Sequence, residues 1–193
     1  IRASIQGGSM RAERFISGWD SRPEPTGDGA HWLSLLRSLV NMLVKRSGGR
    51  YAVSHTLMRG PSDLAEAALG PELMCLSQYE HPARLRSFIQ EATQLFISVW
   101  RAQMELIPPL ADGYVNWFGI WAPGTVVRTQ CDASALLSPA QYRDWYLPFD
   151  LQIAAAADYA VIHLHSGSLH TVEPLLEIET PQAIQVSLDP QPS

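Results

Sequence analysis

Cysteine is scarce: Cys75 and Cys131 are the only two in 193 residues. Two thiols cannot build the multi-bridge framework of a small secreted domain, and their spacing fits no structural zinc motif. That usage predicts a reducing, cytoplasmic setting. No apolar run is long enough to span a bilayer, so no membrane role is expected. The opening residues Ile1-Arg-Ala-Ser lack the apolar centre of a signal peptide. Positive charge is not in excess either. Fourteen Lys and Arg face nineteen Asp and Glu, for a formal net charge of -5, which argues against a nucleic-acid surface as the main function. No Gly-x-Gly-x-x-Gly follows any strand-like segment, which weakens the nucleotide-binding form of an open α/β sheet. No repeat of fixed period is present.

The chain is long enough for one domain with a sizeable core, and 46% hydrophobic with 17% charged residues is an ordinary globular balance. The absent initiating Met, and an end that falls just after a strand-like run, predict a piece of a longer protein. Within residues 1–50, a Gly-, Ser- and Pro-rich start with an irregular loop at Arg22–Gly29 leads into a helix over His31–Lys45. Leu33, Leu36, Val40, Leu43 and Val44 give that helix its apolar spacing, and Gly48-Gly49 stops it.

From residue 51 to 190, strand-like and helical stretches alternate. Strands are expected at Tyr51–Met58, Tyr114–Gly119, Thr125–Asp132, Tyr159–Leu164 and Ala183–Leu188. Between them lie a helix over Asp63–Leu69 capped by Ser62, a long helix from Pro82 to about Ile107, and a helix opened by Ser138-Pro139 and interrupted at Pro148. A short helix over Leu169–Ile178 completes the set. This alternation predicts a parallel sheet, either open and doubly wound or part of a (β/α)8 barrel. Five strands cannot close an eight-stranded barrel; together with the cut ends this suggests a piece of one, a partial (β/α)8 barrel in a single domain.

The stretch with most chemistry is Tyr159-Ala-Val-Ile-His-Leu-His-Ser-Gly-Ser168. Side chains alternate along a strand, so His163 and His165 share a face. Strand ends carrying polar residues before a glycine turn are where α/β folds place their sites. Two imidazoles there can ligate a metal such as zinc or move protons. The plainer alternative is a pair of core histidines bonded to backbone carbonyls. Gln130 and Asp132 share a face of the neighbouring strand in the same way, so the Asp132 carboxylate is expected beside an imidazole. There it can orient the ring, take part in proton transfer, or accept an N–H from a substrate. Its plainer role is to cap the following loop. His55 and Arg59 end the Tyr51–Met58 strand, and Arg59 is suited to a substrate carboxylate. Trp117, with Tyr114, Phe118 and Trp121, offers an aromatic wall for a flat ligand.

Three motifs in order carry a resemblance. They are Gly60-Pro61-Ser-Asp-Leu-Ala-Glu-Ala-Ala-Leu-Gly70, then Asp132-Ala-Ser-Ala-Leu-Leu-Ser-Pro-Ala-Gln-Tyr-Arg-Asp-Trp-Tyr-Leu-Pro-Phe149, then His163-Leu-His-Ser-Gly167. Together they resemble the uroporphyrinogen decarboxylase superfamily over about Tyr51 to Pro190. The resemblance implies a (β/α)8 barrel with its site at the C-terminal strand ends. It also implies one of two chemistries. One branch decarboxylates the tetrapyrrole uroporphyrinogen without metal or cofactor. The other transfers methyl groups between corrinoids and thiols on zinc held by a His-x-Cys pair and a later cysteine.

This chain departs from both branches. No arginine-rich segment precedes Tyr51, and His163-x-His165 puts histidine at the cysteine position. The resemblance therefore implies, first, a methyltransferase-like enzyme with His163 and His165 as metal ligands and Asp132 and His163 as catalytic groups. Its alternatives are a metal-free decarboxylase working through Asp132, and a non-catalytic truncated or interaction module. A small-molecule, tetrapyrrole or corrinoid substrate is expected. A partial barrel leaves strand edges open, so a well-behaved monomer is not expected: a homodimer, cover of the edge by Ile1–Ala30, and aggregation are the alternatives.

Overall fold

The computed structural model describes residues 2–6, 9–24, 29–180 and 182–189. It is a mixed α/β structure with seven α-helices and a three-stranded parallel sheet among the described residues. In chain order come β1 (Arg2–Gln6), β2 (Ser9–Glu13), α1 (Gly29–Ser47), α2 (Pro61–Leu69), α3 (Pro71–Glu80) and α4 (Pro82–Met104). Then follow β3 (Tyr114–Val115), β4 (Trp121–Ala122), β5 (Val126–Gln130), α5 (Pro139–Trp145), α6 (Leu147–Ala154), β6 (Tyr159–His165), α7 (Val172–Leu175) and β7 (Gln182–Ser187). Short 3-10 turns at Asp132–Leu136 and Ser166–Thr171 follow β5 and β6.

The sheet runs β5-β6-β7, all parallel, with helices in each connection, as alternation requires. The expected strands 125–132, 159–164 and 183–188 are these three. No closed barrel is formed among the described residues, and there β7 pairs only with β6.

Register sorts the side chains. Gln130, His163 and Gln185 form one row, and Arg128, Val161 and Ala183 the row before it, on one face. The opposite face carries Val127, Ala160, Ile162, Leu164, Ile184 and Val186. It packs into the main core with residues of α2, α4, α5 and α6, including Leu69, Phe96, Tyr142 and Ile153. The sheet is thus apolar toward the helices and graded on the other face: apolar at the strand starts, polar at the strand ends.

Two expected strands take other forms. Tyr51–Met58 has no ladder partner. It is held by side chains instead: His55 Nε2 accepts the Arg128 N–H of β5 at 3.0 Å, and Gln103 Oε1 of α4 accepts the Thr56 N–H at 2.9 Å. These bonds occupy groups that a ladder would have used. Tyr114–Gly119 contributes only the two residues of β3, antiparallel to β4, because Asn116 turns the chain back by accepting from the N–H groups of Phe118 and Ile120. The β1–β2 hairpin falls in the Gly-, Ser- and Pro-rich start, where no strand is expected. Of the loop expected at Arg22–Gly29, residues 25–28 lie outside the described residues. No helix among the described residues is long and apolar enough to cross a membrane.

Among the buried polar groups, one carboxylate sits in the core. Asp150, on α6, is fully buried; its Oδ2 accepts from Tyr142 Oη at 2.6 Å and its Oδ1 has no partner. Burial pushes its pKa up to about 7. A raised carboxyl pKa stabilises the fold fully below the unfolded value near 4, and that contribution is lost as pH rises through 7. Asp63, raised to about 6 by burial, acts with the same sign. His55, lowered to about 4 by burial, acts oppositely: its contribution is present above about 6.5 and lost as pH falls. Asp150→Asn keeps an acceptor for Tyr142 and removes the ionisation. It is expected to raise stability at pH 8 relative to wild type, on the order of 1–4 kcal/mol, and to flatten the decline between pH 4 and 7. Urea unfolding across that range checks it; an unchanged pH profile would refute the assignment.

Candidate metal centre

The site lies at the C-terminal end of the sheet. Ser138 caps α5 with its side chain and Gln141 answers in a capping box, which fixes how the chain leaves the Asp132–Leu136 turn. At the other end of that turn, buried Asp63 accepts the Ala133 N–H at 2.8 Å. Asp132 therefore sits in the 3-10 turn, two residues past the end of β5, and not on the strand where it was expected.

His163 and His165 do point the same way from β6, with ring centroids 5.0 Å apart. His163 Nε2 is 3.7 Å from Asp132 Oδ1, and His165 Nε2 is 3.9 Å from Asp132 Oδ2. Each ring is held from behind at Nδ1. His163 Nδ1 bonds Gln185 Oε1, its row neighbour on β7. His165 Nδ1 lies 2.6 Å from Asp189 Oδ1, and Asp189 is pinned by the Ser166 hydroxyl at 3.1 Å. His165 and Ser166 hold the Asp189 carboxyl below its usual range. With both Nδ1 atoms donating, both Nε2 atoms are left as lone-pair ligands aimed at one place, the arrangement by which supporting groups set the tautomer of metal-binding histidines.

A zinc ion accepts histidine nitrogen and carboxylate oxygen at about 2.0–2.2 Å, so tetrahedral ligands stand about 3.4 Å apart. Here the ligand atoms of Asp132, His163 and His165 all lie within 4.8 Å of one another. Small rotations close that set. Asp132 Oδ1 is buried and accepts no hydrogen bond, a costly state for a carboxylate oxygen that a cation would relieve. The donors present thus fit a divalent ion of borderline softness.

Arg59 lines a groove of about 350 Å³ together with Asp63, Glu66, Gln130 and Asp132. It makes no hydrogen bond or ion pair among the described residues, although two acidic side chains share its helix-entry segment. The sheet side of the site is walled by Phe118, whose ring centroid is 5.6 Å from that of His163, and Arg128 lies over the same Phe118 ring at 5.3 Å.

The structure separates other expected site residues from this centre. His55 is buried with both ring nitrogens engaged: Nδ1 donates to Thr56 O at 2.8 Å and Nε2 accepts from Arg128. It acts as a strut for β5, and no ring nitrogen remains to meet a substrate. Trp117 is 61% exposed at the turn of the β3–β4 hairpin, and Trp121 lines an apolar cleft at the strand starts. Of the aromatic wall, only Phe118 stacks against a ligand candidate. Gln130, by contrast, adjoins the centre: it borders the groove beside Arg59, and its amide is bonded to Asp63, Asp132 and Arg128.

Sequence reasoning missed Asp63, Arg128, Gln185 and Asp189. Gln185 and Asp189 carry a signal: one alternates onto the polar face of β7, and the other follows β7 as Asp132 follows β5. Asp63 is hidden behind Ser62, the better-looking cap.

Neither a protein-family model nor a curated protein matches the chain. The likeness to the uroporphyrinogen decarboxylase superfamily therefore rests on its three motifs.

Proposed function

We propose that the chain is the metal-binding part of a methyltransferase-like enzyme of the uroporphyrinogen decarboxylase superfamily, acting on a corrinoid or related methyl donor. In this reading β5, β6 and β7 are neighbouring strands of a (β/α)8 barrel, and the reducing cytoplasm suits its two free thiols, Cys75 and Cys131. The supporting observation is the convergence of His163 Nε2 and His165 Nε2 on the Asp132 carboxylate, whose Oδ1 is unpartnered, with each imidazole held from behind. Asp132, His163 and His165 would hold a zinc ion. Bound zinc supplies Lewis acidity that lowers the pKa of a thiol or water on it. Gln185 and Asp189 hold the imidazoles at Nδ1 and keep Nε2 aimed at the ligand position. Arg59 holds an anionic end of the substrate in the adjoining groove, and Phe118 screens His163 from water.

A second reading has one observation of its own. Asp132 Oδ1, buried and without a donor, is also suited to accept N–H groups of a tetrapyrrole, as in metal-free decarboxylation. Parallel assays separate the two: methyl transfer from methylcobalamin to a thiol, and carbon dioxide release from uroporphyrinogen, each with and without a chelator. Methyl transfer that the chelator abolishes and zinc restores is the expected result. Chelator-insensitive carbon dioxide release would replace the first reading by the second.

A further inference from the structure

We infer that Gln130 is a positioning residue that commits Asp132 to presenting Oδ1, and that Arg128 sets Gln130; this rests on the metal reading above. An amide can turn either way, and its neighbours decide which end points where. Arg128 has only donors. Its Nη1 donates to Gln130 Oε1 at 2.7 Å, so the oxygen end of the amide faces the arginine. The nitrogen end then faces the carboxylates, giving one hydrogen to Asp63 Oδ2 at 2.8 Å and the other to Asp132 Oδ2 at 3.0 Å. Asp63 is itself fixed, because its Oδ1 accepts the Ala133 N–H. Arg128 is 2% exposed and lies over the Phe118 ring, so its guanidinium has little freedom.

The consequence falls on Asp132. Its Oδ2 is occupied by the amide, whereas Oδ1 is buried, unpartnered and 3.7 Å from His163 Nε2. The carboxylate is thereby oriented before any ion arrives, and the two oxygens are made unequal. Without the Gln130 donor, both oxygens become available and the carboxylate turns freely about its last bond. Arg128 donates no hydrogen bond to a ligand; its charge is felt by Asp132, but its hydrogen bonding toward the ligands runs through Gln130.

Cobalt(II) takes the same ligands as zinc, and its visible absorption reports the number and kind of groups around it. Titration of the full chain with Co(II) is therefore the test, using wild type, Q130M, R128M and the double variant, with Q130L as a second apolar replacement should Q130M fail to fold. Far-UV circular dichroism confirms folding. Q130M is expected to bind Co(II) about 10–100-fold more weakly, the usual cost of losing an outer partner of a ligand, and to show an altered visible spectrum. R128M should change both in the same direction. The double variant should be no weaker than Q130M, since the two residues act in series. Unchanged affinity and spectrum in Q130M, or losses that simply add in the double variant, would overturn the inference while leaving the metal site standing. Wild type that binds no Co(II) would overturn both.

Discussion

His163→Ala is expected to lose zinc more than about 100-fold, beyond the cost of removing an outer partner, because it deletes the best-buried ligand. His163 is 8% exposed, and its Nε2 faces the Asp132 oxygen that no donor satisfies. Asp132→Ala should match it, since it removes the only carboxylate in the set. Asp189→Ala should fall short of both: it frees the His165 ring but deletes no ligand. His170→Ala is the internal control. That imidazole donates from Nε2 to the carbonyl of Leu137 at 2.7 Å and belongs to the turn packing, so zinc content should be unaffected. Metal analysis of each purified variant after zinc loading and desalting reads the series. Equal zinc in His163→Ala and wild type would refute ligation by this residue.

Gly60→Ala is expected to be the most destabilising conservative change near the site. Gly60 donates its N–H to Gln130 O at 3.1 Å and precedes Pro61, which opens α2. A Cβ on Gly60 would collide with that same carbonyl oxygen and stand 2.6 Å from Thr129 Oγ1. The backbone at Gly60 is extended, so no left-handed strain is involved; the penalty comes from forcing α2 away from β5. Asp63, one turn into α2, would move with it and release both Ala133 and Gln130. Overpacking of this kind costs about 1–3 kcal/mol, more where backbone must yield. Urea unfolding of Gly60→Ala should show at least that loss, together with weaker zinc binding. A midpoint unchanged from wild type would contradict the close approach.

The parts of this arrangement legible in the sequence are those governed by local rules. The runs that became β5, β6 and β7 are apolar, short and separated by well-signalled helices, and the Ser138-Pro139 start is a capping box in fact. Same-face placement of His163 and His165 follows from strand alternation alone. Non-local competition hid the rest. Tyr51–Met58 reads as a strand, yet side chains of His55 and Gln103 take over its bonding. Helix α3 has Leu73, Met74, Cys75 and Leu76 in succession, which gives no helical stripe to detect. The hairpin of β1 and β2 has a Gly-Gly pair in sequence between its strands, a turn signal outweighed by the polar composition around it. The supporting pair Arg128 and Asp63 comes from segments far apart in sequence, and no spacing rule links them.

The central claim is that one divalent ion is held by Asp132, His163 and His165. The most direct measurement is the ratio of bound zinc to protein in wild type after loading and desalting, determined by elemental analysis beside Asp132→Ala. The expected result is about one zinc per wild-type chain and close to none in the variant. Wild type that retains essentially no zinc, or a variant that retains as much as wild type, would contradict it.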